Sequence, residues 1–431
     1  MQSTRGVILG LPLLAAAVGL MACGGSDGGN QDDNPVEPSV NTPPTAQIVS
    51  PIEGSTFEAE FITFEGSAED PEDGSLTGSR LTWISSRDGE LGGGERISRE
   101  TLSFGTHTIR LVATDRGEPA LTDTASVTIE VIDTPALWVA VGDGDKAIAT
   151  SVDGITWRAR ETPFTKPQFV NVSQSANGVS FNGSMWVAVG GVDVAIATSP
   201  DGRNWTARTS PFAGQGASAV AWNGSMWVAV GDGTTAIATS GNATTWVSQA
   251  SPFERANGIA WNGSLWVAVG TGSTAISTSP DGNNWTAQTS PFDEASHVAW
   301  NGAIWVAAGE GASQIATSPD GVTWSGRASP FKDNGIGVAW NGALWVVTGG
   351  GSPGPKIATS ADGITWTAQT PSAISDWAAD VAWDGSKWVA VGCCLGEIAT
   401  SEDGMRWTAR RSPFSAATRG VAAAVPLFPP P

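Results

Sequence analysis

All-β, with a β-sandwich on the N-terminal side and a seven-bladed β-propeller after it, is the architecture the sequence predicts. Three observations carry that expectation. Four short apolar runs repeat as a unit, with a period near 40, from Leu137 to the C-terminus, which is the signature of a propeller blade. The tryptophans marking the second run, Trp138, Trp186, Trp227, Trp266, Trp305, Trp345 and Trp388, are spaced 48, 41, 39, 39, 40 and 43 apart and so define seven copies. The first copy lacks its opening run, while a spare one, Gly420-Val-Ala-Ala-Ala-Val425, follows the last. Pairing 420–425 with 137–141 would complete the first blade and close the ring with the C-terminal strand.

One copy, Ile259 to Phe292, shows why the unit folds as it does. Ile259-Ala-Trp261 (strand A) ends in Asn262-Gly263, a dipeptide that favours a two-residue type I′ hairpin. Leu265-Trp-Val-Ala-Val269 (strand B) is apolar on both faces, as expected of a strand packed between two layers. Ala275-Ile-Ser-Thr278 (strand C) leads into Ser279-Pro-Asp-Gly282, where Pro suits the second position of a type I turn and Gly the left-handed residue after it. Asn284-Trp-Thr-Ala-Gln288 is strand D. Tryptophan recurs on strands A, B and D, where large flat rings fill the space between neighbouring blades at low entropic cost. A ring of sugar-stacking platforms is the functional alternative.

The N-terminal residues carry other signals. Residues 1–22 read as an export signal: Arg5 gives a basic start, Gly6 to Leu20 is apolar but too short to span a bilayer, and small residues precede Cys23. Leu20-Met-Ala-Cys23 resembles the lipobox of bacterial lipoproteins. That resemblance implies cleavage before Cys23, its lipidation, and, with Gly24 following, export to the outer membrane, hence a lipid-anchored cell-envelope location. The other reading is an ordinary secretory signal that leaves Cys23 free. Residues 23–44, rich in Gly, Asp, Asn and Pro, form a flexible tether.

Residues 45–135 have the rhythm of a β-sandwich, with apolar or alternating runs at 46–49, 61–64, 81–84, 108–112 and 125–131 separated by turn residues. Ala113-Thr-Asp-Arg-Gly-Glu-Pro119 and Asp70-Pro-Glu-Asp-Gly74 resemble stretches of Ig-like and cadherin-like modules. Families of that kind can bind calcium, so the resemblance implies a hard-oxygen site at Asp70, Glu72, Asp73 and Asp115. Solvated acidic turns on a spacer domain are the alternative. No other cofactor is expected.

Within residues 136–431, the turn between strands C and D recurs as SVDGITW (151–157), SPDGRNW (199–205), SPDGNNW (279–285), SPDGVTW (318–324), SADGITW (360–366) and SEDGMRW (401–407). This resembles the Asp-box, or BNR, repeat of sialidases and related propellers, one residue shorter than usual. The third copy, Ser240 to Trp246, lacks both Asp and Gly. In those families the box is a structural hairpin remote from the active site. A sialidase needs a tyrosine nucleophile, and the chain has no tyrosine, so that chemistry is excluded. Its recurrent arginines, Arg160, Arg208, Arg327 and Arg410, fall on the outermost strand and read as edge protection. The two histidines, His107 and His297, fall in different domains, which leaves no His-based triad or metal cluster. A net charge of −20 excludes a nucleic-acid partner.

No catalytic residue is assigned, and the expected function is non-enzymatic. The face formed by B–C loops and D–A connections varies between copies, as binding surfaces on a rigid ring do. Its candidate contact residues are Asp143, Asp193, Asp232, Glu310, Trp377 and Glu397, and a protein or glycan ligand is expected on a monomeric protein anchored to a membrane. A glycan hydrolase is the alternative. Cys393 and Cys394, in the last B–C loop of that face, are expected to form a strained vicinal disulfide in an oxidising compartment, with two free thiols as the other outcome.

Overall fold

A computed structural model describes residues 40–58, 62–99, 102–132, 137–164, 175–191, 193–212, 214–233, 235–351, 353–370, 373–392 and 396–424. The lipobox with Cys23, most of the tether, and Cys393 and Cys394 lie outside the described residues. The described residues are all-β apart from one 3-10 turn, Gly78–Arg80, and they divide into two compact units, the second of which takes in those from Glu130 onward.

The first unit has two antiparallel sheets. One joins Thr45–Ser50, Ile62–Asp70 and Gly74–Leu76, with Arg96–Arg99 also paired to Ile62–Asp70. The other runs Ser55–Glu58, Thr122–Ile132, Gly105–Thr114, Leu81–Ser85, Gly89–Gly93. Burial alternates along Ile62–Asp70, so Ile62, Phe64, Ala68 and Asp70 face inward. Trp83 is fully buried against Phe64 and donates its indole N–H to Gly94 O at 2.9 Å.

The second unit is a propeller-like array of four-stranded antiparallel sheets, seven among the described residues. In the representative copy the strands are Phe253–Trp261, Trp266–Gly272, Ile276–Ser279 and Thr286–Gln288, in that spatial order. The innermost strands of the seven sheets are Thr418–Ala423, Ala176–Phe181, Ala217–Trp222, Phe253–Trp261, Glu294–Trp300, Gly335–Trp340 and Ala378–Trp383. Each touches the inner strand of the next sheet, and Thr418–Ala423 touches both Ala176–Phe181 and Ala378–Trp383, so the cycle closes. The first sheet is completed from the other end of the chain: Trp138 pairs with Ala423, Val139 with Ala422, Ala140 with Val421 and Val141 with Gly420.

The apolar cores lie between consecutive sheets. In the strand-B sequence Trp-Val-Ala-Val, side chains alternate in direction. Trp266 and Ala268 therefore pack with Val228 and Val230 of the preceding sheet, while Val267 and Val269 pack with Trp305 and Ala307 of the next. Large residues on one face meet smaller ones opposite, which fills each gap. The strand-B tryptophans are at most 1% exposed, so they are core and cannot be sugar platforms.

Two turns differ from expectation or refine it. In the A–B hairpin, Asn262 N–H donates to Leu265 O, and among residues 262–265 only Gly263 has positive φ. The tight turn is therefore centred on Gly263-Ser264 with a single left-handed residue, whereas type I′ would need two. Asn262 instead caps it: its Oδ1 accepts the N–H groups of Ser264 and Leu265. In the C–D turn, Asp281 Oδ1 accepts the N–H groups of Asn283 and Asn284, Ser279 Oγ accepts that of Gly282, and Trp285 donates to Gly282 O. Those bonds hold Asn284 and Trp285 in the turn, so strand D begins only at Thr286. The third copy keeps the geometry without the acid. Asn242 Oδ1 accepts the N–H groups of Thr244 and Thr245, and Ala243 takes the left-handed position at φ 60°.

These turn carboxylates give the fold an acid-sensitive component. At Asp201 burial works to raise the pKa, but hydrogen bonds from Asn204, Arg203 and Ser199 outweigh it and hold the carboxyl at about 2. At Asp362 and Asp403 the backbone N–H groups dominate and again bring the value to about 2. A folded value below the unfolded one adds stability above the unfolded pKa that disappears as pH falls through the folded pKa. The urea midpoint is therefore expected to fall as pH is lowered from about 5 towards about 2. Asp362→Asn, which copies the bonding of Asn242, should remove one contribution to that slope, and an unchanged slope would count against this assignment.

The arginines on the outermost strands are tied to threonines of the neighbouring strand. The Nε groups of Arg160, Arg208, Arg327 and Arg410 donate to Thr150, Thr198, Thr317 and Thr400 Oγ1 at 2.7–2.8 Å, which folds each side chain back over its own sheet.

Candidate functional site

Alternating strand direction puts the B–C loops and D–A connections at one end of the ring and the two turn types just described at the other. The residues expected to meet a ligand sit on the loop end, but most are engaged with that end's own framework. Asp143 takes a bidentate interaction from Arg419, at 2.6 and 2.8 Å. Asp232 accepts from Arg255 Nε at 2.8 Å. Glu397 accepts the N–H and hydroxyl of Ser375 at 3.0 and 2.7 Å. Half-buried Trp377 lies over Gly350, where a Cβ would stand 2.0 Å from its ring. Asp193 and Glu310 are exposed. The loop end is thus braced, with a few side chains left on its surface.

A feature that the repeat motifs do not reveal lies at the mouth of the axis. Every inner strand carries a β-bulge near its start, after Ala176, Ala217, Ala256, Ala295, Gly335, Ala378 and Thr418. Bulges re-aim side chains. The residue two positions beyond those bulge starts is Gly178, Ala219, Gly258, His297, Gly337, Asp380 and Gly420. Space is short at this level: a Cβ on Gly178 would stand 2.6 Å from Ser218 O, and one on Gly420 2.8 Å from Asn177 O. Small residues are therefore the rule, and His297 and Asp380 depart from it. The strand between them carries Gly337, where a Cβ would stand 3.0 Å from Asp380 Oδ1.

Asp380 is held rigidly. Its Oδ1 accepts the N–H of Val381 at 2.8 Å and its Oδ2 that of Val421 at 3.0 Å, on the neighbouring inner strand. Burial raises its carboxyl above the usual range, opposed by the positive form of His297 and by those two N–H groups. His297 Nδ1 is buried and meets no hydrogen-bond partner among the described residues. Sequence alignment of the seven copies already contains the signal: both residues stand directly before Val-Ala-Trp, where the other copies have Gly or Ala.

In the first unit, Asp70, Glu72 and Asp73 share one set of hydrogen bonds, and Asp115 has a separate set of its own. Asp70 Oδ1 caps Glu72 and Asp73 N–H, Asp73 Oδ2 accepts Arg116 N–H, and Glu72 Oε2 accepts from Thr42. Asp115 is fully buried, with Oδ1 accepting from Gly117 and Leu121 and Oδ2 from Asn41. Burial works to raise its pKa, but those bonds and the Arg80 guanidinium bring it below the usual value. Asp70 Oδ2 is buried without a partner among the described residues.

No known protein-family profile matches the sequence, and no curated protein matches it. Solved structures do. A quinonprotein alcohol dehydrogenase-like protein from Bacteroides thetaiotaomicron is 8% identical with a TM-score of 0.50, covering 88% of this chain and 99% of its own. A protein from Lactobacillus plantarum is 12% identical with a TM-score of 0.49, over 66% and 98%. A putative 6-phosphogluconolactonase from Bacteroides fragilis is 10% identical with a TM-score of 0.46, over 67% and 98%. The likeness is one of fold alone. It is propeller-like.

Proposed function

We propose that this chain is a lipid-anchored recognition protein of a bacterial cell envelope, in which a seven-bladed Asp-box propeller on an Ig-like module binds a protein or glycan without converting it. The observation that carries this reading is the loop end of the ring. It differs from copy to copy, yet three of its acids, Asp143, Asp232 and Glu397, are braced by Arg419, Arg255 and Ser375. A preorganised, variable surface suits binding, because little order must be gained on contact. The mature ectodomain, immobilised and offered outer-membrane proteins and surface polysaccharides, is expected to retain one of them and release no product. Trp377→Ala should weaken that capture roughly tenfold, as for a central aromatic contact. Hydrolysis of a retained glycan would replace this reading with the hydrolase one.

Anchoring rests on Leu20-Met-Ala-Cys23 and the polar segment after it. Cys23→Ser is expected to move the protein from the membrane fraction to the soluble one. Continued membrane association with an unchanged N-terminus would rule the anchor out.

The orphaned Asp70 Oδ2 favours a second reading for the first unit. Calcium would give that oxygen a partner, with Glu72 and Asp73 supplying further hard oxygens and Asp115 acting as scaffold, since N–H donors already occupy it. Added calcium should then raise the melting temperature of the wild type but not of Asp70→Asn. Equal behaviour of the two would leave the acids as turn caps.

A further inference from the structure

The geometry points to the space between His297 and Asp380 as a binding site for a divalent transition-metal ion, taken by one imidazole nitrogen and one carboxylate and completed by water. Four observations lead there. Both side chains occur at the same register position on inner strands two sheets apart, in a ring otherwise made of Gly and Ala. Gly337, on the strand between them, puts no side chain between the two, and a Cβ there would stand 3.0 Å from Asp380 Oδ1. His297 presents a buried ring nitrogen that no described residue satisfies, a costly condition for a buried polar atom unless a guest meets it. Asp380 is oriented by one N–H donor on each oxygen, so each still has lone-pair capacity.

The donor types decide the class of guest. Two acceptors, one of them imidazole, suit zinc, nickel or copper, whereas calcium and magnesium prefer all-oxygen shells. A cation there would also neutralise a carboxylate buried on an inner strand, where desolvation disfavours charge. Among the described residues no hydrogen bond joins His297 to Asp380, so neither is consumed by the other. With only two protein ligands the ion would be exchangeable and keep coordination positions for water.

The chain has only two histidines, which makes the test selective. His107, buried in the other unit with its Nδ1 2.8 Å from Ser85 Oγ, is an internal control. The full ectodomain is labelled with 15N at histidine and titrated with zinc chloride, with calcium chloride as a parallel arm. One equivalent of zinc is expected to shift the His297 ring nitrogens and leave those of His107 in place, while calcium moves neither. Asp380→Asn should weaken the zinc response roughly tenfold or more, and His297→Gln should abolish saturable uptake. If His297 does not respond to millimolar zinc, the site does not exist. It is equally ruled out if the zinc response is unchanged in Asp380→Asn, or if His297 responds to pH alone, because the pair is then an internal ion pair. Should either variant fail to fold, the wild-type titration of the two histidines still decides.

Discussion

Deleting residues 418–431 is expected to lower stability by about 5 kcal/mol or more, enough to abolish cooperative unfolding of the ring. The segment supplies the whole inner strand of the first sheet, pairing with Trp138 to Gly142, and Ala424 N–H donates to Leu137 O beyond it. Each lost backbone bond costs about 1 kcal/mol, and the now uncovered strand becomes an unprotected sheet edge. Val421 is 5% exposed and packs with Val389 and Val391 of the seventh sheet, so its removal opens the junction between the last sheet and the first. Charge contributes far less at this seam. Arg419 is 44% exposed in its ion pair with Asp143, so Arg419→Ala should cost less than about 1 kcal/mol. Thermal and urea unfolding of the two variants checks the ranking, and an unchanged melting temperature for the deletion would mean that the strand does not close the ring.

That closure could be read from the sequence because a missing strand at one end and a spare one at the other leave a single way to complete seven sheets. The strand-B cores were equally legible, since an apolar residue at every position of Trp-Val-Ala-Val demands a partner on both faces. Turn details were less so. Asn-Gly indicates a hairpin, but which two residues occupy its tip depends on register, and the Asn side chain can take over an N–H that a type I′ turn would give to a carbonyl. In the first unit, Ser55–Glu58, Gly89–Gly93 and Arg96–Arg99 are too short or too polar to stand out, and pairing with stronger neighbours is what makes them strands.

The loop end and the axis were the least legible. Asp143 and Arg419 are 276 residues apart, so no local pattern could reveal that the acid is already engaged. By residue type alone, His297 is a lone histidine and Asp380 one acid among many. Only the aligned column before Val-Ala-Trp places them at one level of the channel, and only the bulges explain why that column tolerates so little bulk. The arginines of the outermost strands show the same limit in miniature. Their spacing identifies the edge strand, while their Thr partners, ten residues back, come from the pairing of strands C and D.

Replacing a strand-B tryptophan should be the costliest single substitution in the ring, with Trp305→Ala expected to lose about 3–5 kcal/mol. Trp305 is fully buried, packs with Val267, Val269 and Phe292, and meets Trp300 with ring centroids 5.1 Å apart. Its neighbours belong to two separate sheets held apart by backbone pairing, so the site has little freedom to collapse and the cavity should persist. The indole nitrogen contributes nothing to this estimate, because Trp305 Nε1 has no hydrogen-bond partner among the described residues. Trp305→Phe should therefore be much milder than Trp305→Ala, retaining most of the ring contact and removing an unsatisfied N–H. Trp324, on the outer part of the same sheet, offers the opposite case. It is half-buried and donates its N–H to Gly321 O at 2.9 Å, so Trp324→Phe should cost about 1 kcal/mol through the lost bond. Urea unfolding of the three variants gives the comparison. A loss below about 1 kcal/mol for Trp305→Ala would show that the site collapses and that the tryptophans do not set the spacing between sheets.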